Sequence, residues 1–215
     1  MGFPASGLPG IDVSHYQGTV DWKKVAAGGE AFAYAKASES CGGADPYFAD
    51  NWASIKSVGM LRGAYHFFHP DQDPAKQAQV FLAALSKANG SPTLAPGDLP
   101  ATLDLEVTAG ERPADILAGA KVWLTIVEQA TGRKPLLYTF TNFWKSQLGN
   151  PSTLSEYPLW VAEYGCPAPV PIGGWQNYTI WQFGQQPIPG VTGSPTVDVD
   201  SFQGTAADLR ALAGL

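Results

Sequence analysis

Residues 100–132 contain "PATLDLEV" (100–107) and "PADILAGAKVWLTIVEQATG" (113–132), the clearest strand–helix unit of the chain. The first segment is a short apolar run, which predicts a buried strand. The second segment repeats its apolar residues with helical spacing, so it predicts an amphipathic helix. Those apolar residues are Ile116, Leu117, Ala120, Trp123, Leu124 and Val127. Pro113 suits the first turn of this helix, and Gly132 suits its end.

The same alternation of strand and helix occurs four more times along the chain. The strand-like runs are "GIDVS" (10–14), "AFAYAKAS" (31–38), "LRGAYHFF" (61–68) and "KPLLYTF" (134–140), each followed by a helical run. Such a pattern predicts a parallel sheet covered by helices.

The pattern changes after residue 150. Three more strand-like runs follow, "YPLWVAEYG" (157–165), "YTIWQFG" (178–184) and "TVDVDSF" (196–202), with Pro- and Gly-rich segments between them. Eight strands taken as parallel, with too few helices, predict an α/β fold: an irregular, TIM-barrel-like (β/α) barrel. The alternative is an open doubly wound sheet, but the first strand is not followed by a Gly-rich phosphate loop.

Composition limits the classes of protein that this chain can represent. With 215 residues, 45% of them hydrophobic, we expect one domain over 1–215 and a monomer. The net charge is −6 and no stretch is rich in Lys or Arg, which argues against a nucleic-acid partner. We also expect no membrane insertion and no signal peptide, because "MGFPASGLPG" (1–10) lacks a basic segment followed by an apolar one.

No metal or cofactor is expected from the Cys and His residues. Cys41 and Cys166 are the two cysteines, and they could form one disulfide or remain two thiols. His15, His66 and His69 do not have the spacing of a zinc site.

Acidic residues lie in three of the predicted strands. Asp12 belongs to the first, Asp104 and Glu106 to the fourth, and Asp198 and Asp200 to the eighth. Function in such barrels sits at the carboxyl ends of the strands, and residues two apart on a strand share a face. We therefore expect these acids to point into the barrel mouth, where crowding separates their pKa values as glycosidic cleavage requires. The alternatives are turn or cap residues, or a divalent-cation site.

Aromatic residues near the strand ends could bind the apolar faces of sugar rings. They are Tyr16, Tyr65, Phe67, Tyr138, Trp160, Tyr164 and Trp181. By contrast, Trp22, Trp52 and Trp123 lie on predicted helices, where we expect them to pack in the core.

Eight motifs in order give the chain a resemblance to a known family. They are "GIDVSHYQG", "AYAKASES" followed by "DPYF", "RGAYHFFHP", "LDLEV", "PLLYT", "PLWVAEYG", "IWQFG" and "VDVDSF". From Gly10 to about Gly204, the chain resembles the family 25 glycoside hydrolases, the Chalaropsis-type lysozymes. The resemblance implies a flattened eight-stranded barrel and cleavage of the β-1,4 bond between N-acetylmuramic acid and N-acetylglucosamine in bacterial peptidoglycan.

The resemblance also implies individual roles. Glu106 matches the general acid/base, and Asp104 matches the carboxylate that orients the substrate's acetamido group. Asp12 and Asp198 match the acids of the first and last strands. A retaining, substrate-assisted route is implied, and we expect Glu106 to have a higher pKa than Asp104. The enzyme would act on the cell wall, either secreted or as a phage endolysin.

Three positions depart from the family pattern. Ser40 replaces a usual Gly, Glu163 stands where Gln, Arg or His is more usual, and Asp200 replaces a common Asn. Glu39 keeps its acidic position and, like Asp200, is a candidate for substrate binding. Two alternatives remain open: a chitinase-type hydrolase and a glycan-binding module without catalysis.

Overall fold

The computed structural model describes residues 7–215, and its central feature is a closed β-barrel. The strands are β1 (Gly7–Val13), β2 (Phe32–Glu39), β3 (Gly43–Ala44), β4 (Leu61–Phe67), β5 (Thr102–Asp104), β6 (Leu136–Phe140), β7 (Leu159–Ala162), β8 (Ile180–Gln186) and β9 (Val197–Gln203). Their order is β1-β9-β8-β7-β6-β5-β4-β2-β3, and a further pairing of β1 with β2 closes the barrel. The short β3 only extends the edge of β2 as a hairpin. The predicted eight-stranded barrel is therefore confirmed, and the open sheet is excluded.

One prediction about the barrel is wrong, because the last strand is not parallel to its neighbours. Strand β9 runs antiparallel to both β1 and β8, whereas the other pairs around the barrel are parallel. The beginning of β9, not its end, therefore lies at the same rim as the carboxyl ends of the parallel strands. Asp198 is consequently paired with Asp12 of β1 at that rim.

The helices cover only part of the barrel, as predicted. They are α1 (Trp22–Ala27), α2 (Phe48–Ser57), α3 (Pro74–Asn89), α4 (Pro113–Thr131), α5 (Thr141–Ser146) and α6 (Ala206–Leu212). Within the described residues, no helix separates β7, β8 and β9. Helix α4 begins at Pro113 and ends before Gly132, whose left-handed φ of 74° closes the helix. None of the helices in residues 7–215 is long and apolar enough to cross a membrane.

The apolar residues form two layers on either side of the barrel wall. Outside, Leu103 and Leu105 belong to a large cluster that includes Phe81 of α3 and Trp123 of α4, all fully buried. Inside, a smaller cluster fills the lower part of the barrel, and its aromatic members are Phe32, Tyr34, Trp160 and Phe202. Trp22, Trp52 and Trp123 are buried in the outer layer, as expected for the helix tryptophans.

Two glycines make room for the large rings inside the barrel. A Cβ on Gly10 would lie 2.5 Å from the ring of Phe32, and one on Gly63 would lie 2.1 Å from the ring of Tyr34. Both distances are far below van der Waals contact, so these positions require glycine. The rings fill the lower barrel and leave open space only at the upper rim, where the acids lie.

The first six residues are not described by the structure. The expectation that "MGFPASGLPG" contains no signal peptide therefore falls partly outside the described residues.

Candidate active site

The two acids of "LDLEV" lie at the end of β5 and project into the mouth of the barrel. Strand β5 ends at Asp104, but the backbone ladder continues one step further, because the N–H of Leu105 donates to Tyr138 O at 3.0 Å. The side chains of residues 103–106 therefore continue to alternate between the outer and inner sides of the barrel wall. Leu103 and Leu105 are fully buried on the outer side, whereas Asp104 and Glu106 line one cavity. The predicted inward orientation of both acids is confirmed.

The central cavity has a volume of about 320 Å³ and brings together acids from distant parts of the chain. Asp12, Asp104, Glu106 and Asp198 all line it. The predicted aromatic residues on its wall are Tyr16, Tyr65, Phe67, Tyr138, Trp160 and Tyr164. Tyr16 and Tyr164 are the exposed members, at 72% and 50%, so they form the rim.

Three predicted binding residues do not reach this cavity. Trp181 points outward into the helix-side core, where its indole N–H donates to the backbone O of Glu163 at 2.8 Å. Asp200 is fully buried beneath the cavity. Glu39 lies in a neighbouring groove, paired with Lys36 and, at 3.1 Å, with His69. The sequence alternation is compatible with either face for Trp181, and the structure places it on the outer one.

Two important residues were missed by the sequence analysis. Lys36 is a buried cation that lines the cavity, and its charge opposes the raised pKa values of Asp104 and Glu106. Its signal was a lone Lys in the apolar run "FAYAKAS". Gln182 was signalled only by a polar residue within "IWQFG".

Gln182 connects three of the cavity residues through its side-chain amide. Its Nε2 donates to Asp12 Oδ2 at 2.7 Å, and its Oε1 accepts from the hydroxyls of Tyr138 at 3.0 Å and Tyr164 at 2.7 Å. The Tyr164 hydroxyl oxygen also lies 3.0 Å from Asp198 Oδ1, so its single proton can be donated to either Gln182 or Asp198. The polar groups around the acids are therefore held in one continuous network, which fixes their positions.

Burial and mutual repulsion raise the pKa values of the central acids. Desolvation raises the pKa of Asp104 well above its usual range, and the charges of Glu106 and Asp12 add to it. The pKa of Glu106 is also raised, first by desolvation and then by Asp198. Asp104 is the more deeply buried of the pair, so this environment gives no support to the expectation that Glu106 has the higher pKa.

The two oxygens of the Asp104 carboxyl group have different surroundings. Asp104 Oδ1 is buried and accepts no hydrogen bond from the residues that the structure describes. This oxygen has too little surface to meet a ligand, so contact with a ligand falls to the other oxygen of the carboxyl group, on the side of the cavity that Asp104 lines. Asp104 is therefore suited to orient a polar group of a bound ligand.

A second cavity, of about 620 Å³, adjoins the first. The two cavities share Glu106, Tyr138, Tyr164 and Gln182, whereas Asp104 lines only the first. The second cavity is lined further by Phe140, Thr141, Asn142, Lys145, Ala162, Glu163 and Val170. Glu106 thus lies where the two cavities meet, which is the position required of an acid that serves a bond spanning both.

The sequence left the state of the two cysteines open. Cys41 and Cys166 are both free thiols, so of the two options left open by the sequence the structure has the unpaired one. In residues 7–215, no group of three or more His, Cys, Asp or Glu side chains is arranged to hold a metal ion.

A closed barrel with paired carboxylates at its rim, one of them beside two joined cavities, has the architecture of an enzyme that cleaves glycosidic bonds. The family model of glycosyl hydrolases family 25 matches residues 11–191. The chain belongs to this family, and it is a glycoside hydrolase of the lysozyme type.

Individual relatives agree with this assignment. Lysozyme M1 of Streptomyces globisporus is 33% identical over 97% of this chain and 72% of its own. The N,O-diacetylmuramidase of a Chalaropsis species is 33% identical over 81% of this chain and 87% of its own. The crystal structure of the lysozyme from Streptomyces coelicolor superposes with a TM-score of 0.87 at 32% identity, covering 97% of this chain and 98% of that one.

Proposed function

We propose that this chain is an N-acetylmuramidase that hydrolyses the β-1,4 bond between N-acetylmuramic acid and N-acetylglucosamine in bacterial peptidoglycan. The observation that carries the proposal is the unequal placement of the two acids of "LDLEV". Asp104 is buried at the wall of one cavity, while Glu106 lies at the junction of two cavities. The names of the relatives, lysozyme and diacetylmuramidase, support the same substrate.

Glu106 acts as the general acid and then as the general base. Its raised pKa favours the protonated form that must give a proton to the glycosidic oxygen. Because that oxygen joins two sugars, the acid has to reach the boundary between their binding sites. Glu106 alone among the four central acids lines both cavities.

Asp104 orients the acetamido group of the sugar in the central cavity. Residues two apart on a strand lie roughly 7 Å apart at the backbone, so one can serve the acetamido group while the other serves the glycosidic oxygen. The acetamido N–H donates to the carboxyl oxygen of Asp104 that faces the cavity, which directs the acetamido oxygen at the anomeric carbon. This is the substrate-assisted exception to the two-carboxylate rule.

The bond changes balance over two steps. The acetamido oxygen bonds to the anomeric carbon as the glycosidic C–O bond breaks, and the Glu106 proton goes to the leaving oxygen. Water then attacks the same carbon, gives its proton to Glu106, and the acetamido oxygen departs. Two displacements at one carbon retain its configuration.

The remaining acids stabilise the positive charge that develops on the sugar. Asp12 is held by Gln182, and Asp198 accepts from Gln185 Nε2 at 2.9 Å and lies 3.0 Å from the Tyr164 hydroxyl. Fixed carboxylates near a developing cation lower the barrier without reorganisation.

The leaving sugar occupies the second cavity, where Phe140 and Val170 offer apolar surface and Asn142 offers hydrogen bonds. The central cavity holds the muramyl unit against Trp160 and Tyr138, whose rings meet edge to face with centroids 5.2 Å apart. We propose that the enzyme works as a single catalytic domain and as a monomer. Its site of action is the cell wall, as a secreted enzyme or a phage endolysin.

Product analysis tests this function. Peptidoglycan digested by the enzyme should yield fragments that, after borohydride reduction, end in the alcohol of muramic acid. Fragments ending in the alcohol of glucosamine would show a chitinase-type specificity and overturn the proposal. Binding of peptidoglycan without any new reducing ends would show a glycan-binding module.

A further inference from the structure

Asp200 is a buried carboxyl group that the proposed mechanism does not use. It lies on β9, opposite Gly10 of β1 and Gln182 of β8, and its side chain is wholly inaccessible to solvent. Its Oδ1 accepts the indole N–H of Trp160 at 2.9 Å. Its Oδ2 receives no hydrogen bond from a donor group in the part of the chain that the structure describes.

The surroundings of Asp200 contain acids and no cation. The titratable groups that face it are Asp12 of β1, Asp198 of β9, Tyr34 of β2 and Tyr164 beyond β7. Among residues 7–215, no Lys, Arg or His forms an ion pair with it. An ionised carboxylate in such a place would be buried without a counter-charge, which is strongly unfavourable.

The side chains of Asp12 and Asp200 are diagonal neighbours on the inner face of the β1–β9 pair, since Asp12 is opposite Asp198 and Asp200 is opposite Gly10. Two carboxylates only accept, so a hydrogen bond between two carboxyl groups requires that one of them carries a proton. Asp12 already accepts from Gln182 and lines the cavity, whereas Asp200 lies beneath it with an unused oxygen. The proton therefore belongs on Asp200.

We propose that Asp200 is a positioning residue that remains protonated in the working enzyme and donates its O–H to the carboxylate of Asp12. Asp12 then receives two donors, Gln182 from the side and Asp200 from below, and its charge is directed at the cavity. Trp160 completes the chain by donating to the other oxygen of Asp200. This inference rests on the proposed function only where it is tested by enzyme activity.

A neutral Asp has the shape of Asn and the same pairing of one donor with one acceptor. Asn at position 200 could accept from Trp160 and donate to Asp12, which is the same arrangement. Burial and the charges of Asp12 and Asp198 hold the pKa of Asp200 well above its usual range, so Asp200 keeps its proton to a higher pH than an ordinary carboxyl group. Loss of that proton would place two adjacent negative charges under the cavity and weaken activity there.

The direct test is a carboxyl titration of the enzyme without substrate. Infrared difference spectra between the wild type and Asp200→Asn should show a protonated carboxyl band at pH 6 that belongs to Asp200. Absence of that band would overturn the proposal. The spectra need no turnover, so a failure of the proposed muramidase function would leave this result standing.

Activity gives the second test, through one conservative and one disruptive variant. Asp200→Asn should stay within about threefold of the wild-type kcat/KM at pH 6, with an alkaline limb shifted to higher pH. Asp200→Leu, which leaves Asp12 without its donor, should lose roughly tenfold to a hundredfold. Equal losses in both variants would show that position 200 needs a negative charge, contrary to the proposal.

Asp98 supplies a matched control, because it is also fully buried but is paired with Arg62 at 2.7 Å. Asp98→Asn should show no protonated carboxyl band in the difference spectrum at pH 6. A band of equal size there would mean that burial alone explains the signal, and would remove the support for a role specific to Asp200.

Discussion

Trp160 and Trp181 lie on neighbouring parallel strands, one residue out of register, and point to opposite sides of the barrel wall. Trp160 is paired with Ile180, and Trp181 with Val161. Trp160 therefore joins the inner cluster and lines the cavity, while Trp181 joins the outer cluster. Both are almost fully buried and both donate their indole N–H. They therefore differ in one respect: Trp160 belongs to the active site, and Trp181 belongs to the outer core.

Phenylalanine at each of these positions should give opposite phenotypes. Trp160→Phe removes the donor to Asp200 beneath the site and should lower kcat/KM roughly tenfold. Trp181→Phe removes a bond to the backbone of Glu163 and should cost about 1–2 kcal/mol of unfolding free energy, with kcat/KM close to the wild type. Urea denaturation and peptidoglycan turnover measure the two effects. A large loss of activity in Trp181→Phe would contradict the outward placement.

The role of Asp104 can be separated from that of a nucleophile by adding azide. Asp104→Ala should lower turnover about 10²–10³-fold, because the acetamido group loses the group that orients it. Azide should not restore activity, since the substrate's own acetamido oxygen attacks the anomeric carbon. Formation of an inverted glycosyl azide, detected by mass spectrometry and NMR, would show that Asp104 itself had been the nucleophile.

The local pattern of apolar and polar residues was sufficient to predict the strands, the buried faces of the helices and the inward orientation of Asp104 and Glu106. In "LDLEV" only one of the two faces is apolar, so the alternation assigns Asp104 and Glu106 to the barrel mouth. In "IWQFG" the same rule is ambiguous, because an aromatic residue can fill either layer. Trp181 was therefore predicted as a binding residue although it lies on the outer face, and Gln182 was overlooked.

The direction of β9 could not be derived from its own residues, because a strand has the same alternation in either direction. A usable signal was the connection before it. Only the ten residues 187–196 separate β8 from β9, whereas a parallel crossover needs about a dozen or more. Lys36 was missed for another reason: its role depends on Asp104 and Glu106, which are distant in sequence.

Glu30 predicts a pH dependence of stability that is independent of the site. It lies just before β2, its Oε2 is buried without a hydrogen-bond partner in the described residues, and burial raises its pKa to about 7. A raised folded pKa stabilises the protein below the unfolded value near 4.5, and this contribution is lost as the pH rises to 7.

Glu30→Gln should therefore gain stability relative to the wild type between pH 4.5 and 7, by about 2 kcal/mol, and no further above that range. Urea denaturation at a series of pH values measures the difference between the two proteins. The exposed Glu111→Gln serves as the control and should leave the pH dependence unchanged. A difference in unfolding free energy between Glu30→Gln and the wild type that stays the same from pH 4.5 to 7 would contradict the prediction.

The ion pair at the lower end of the barrel should be important for stability. Arg62 Nε donates to Asp98 Oδ1 at 2.7 Å, its Nη1 donates to the backbone O of Trp52 at 2.8 Å, and its guanidinium stacks 3.9 Å from the Trp52 ring. Asp98→Asn leaves a buried cation without its charge partner and should cost about 3–5 kcal/mol in unfolding free energy.

The exposed pair of Arg112 and Asp115, also at 2.7 Å, is the comparison for this ion pair. Arg112→Ala should cost much less unfolding free energy than Asp98→Asn, because solvent screens the exposed pair. Similar losses of unfolding free energy in Asp98→Asn and Arg112→Ala would show that burial does not determine how much these ion pairs stabilise the protein.

Proton transfer by Glu106 during cleavage can be tested with a single variant. Glu106→Gln keeps the size of the side chain but cannot give or take a proton, so the rate at which muramyl reducing ends form should fall about 10²–10⁴-fold. Circular dichroism and peptidoglycan binding should stay at wild-type levels. A folded Glu106→Gln enzyme that releases these fragments at the wild-type rate would contradict the account.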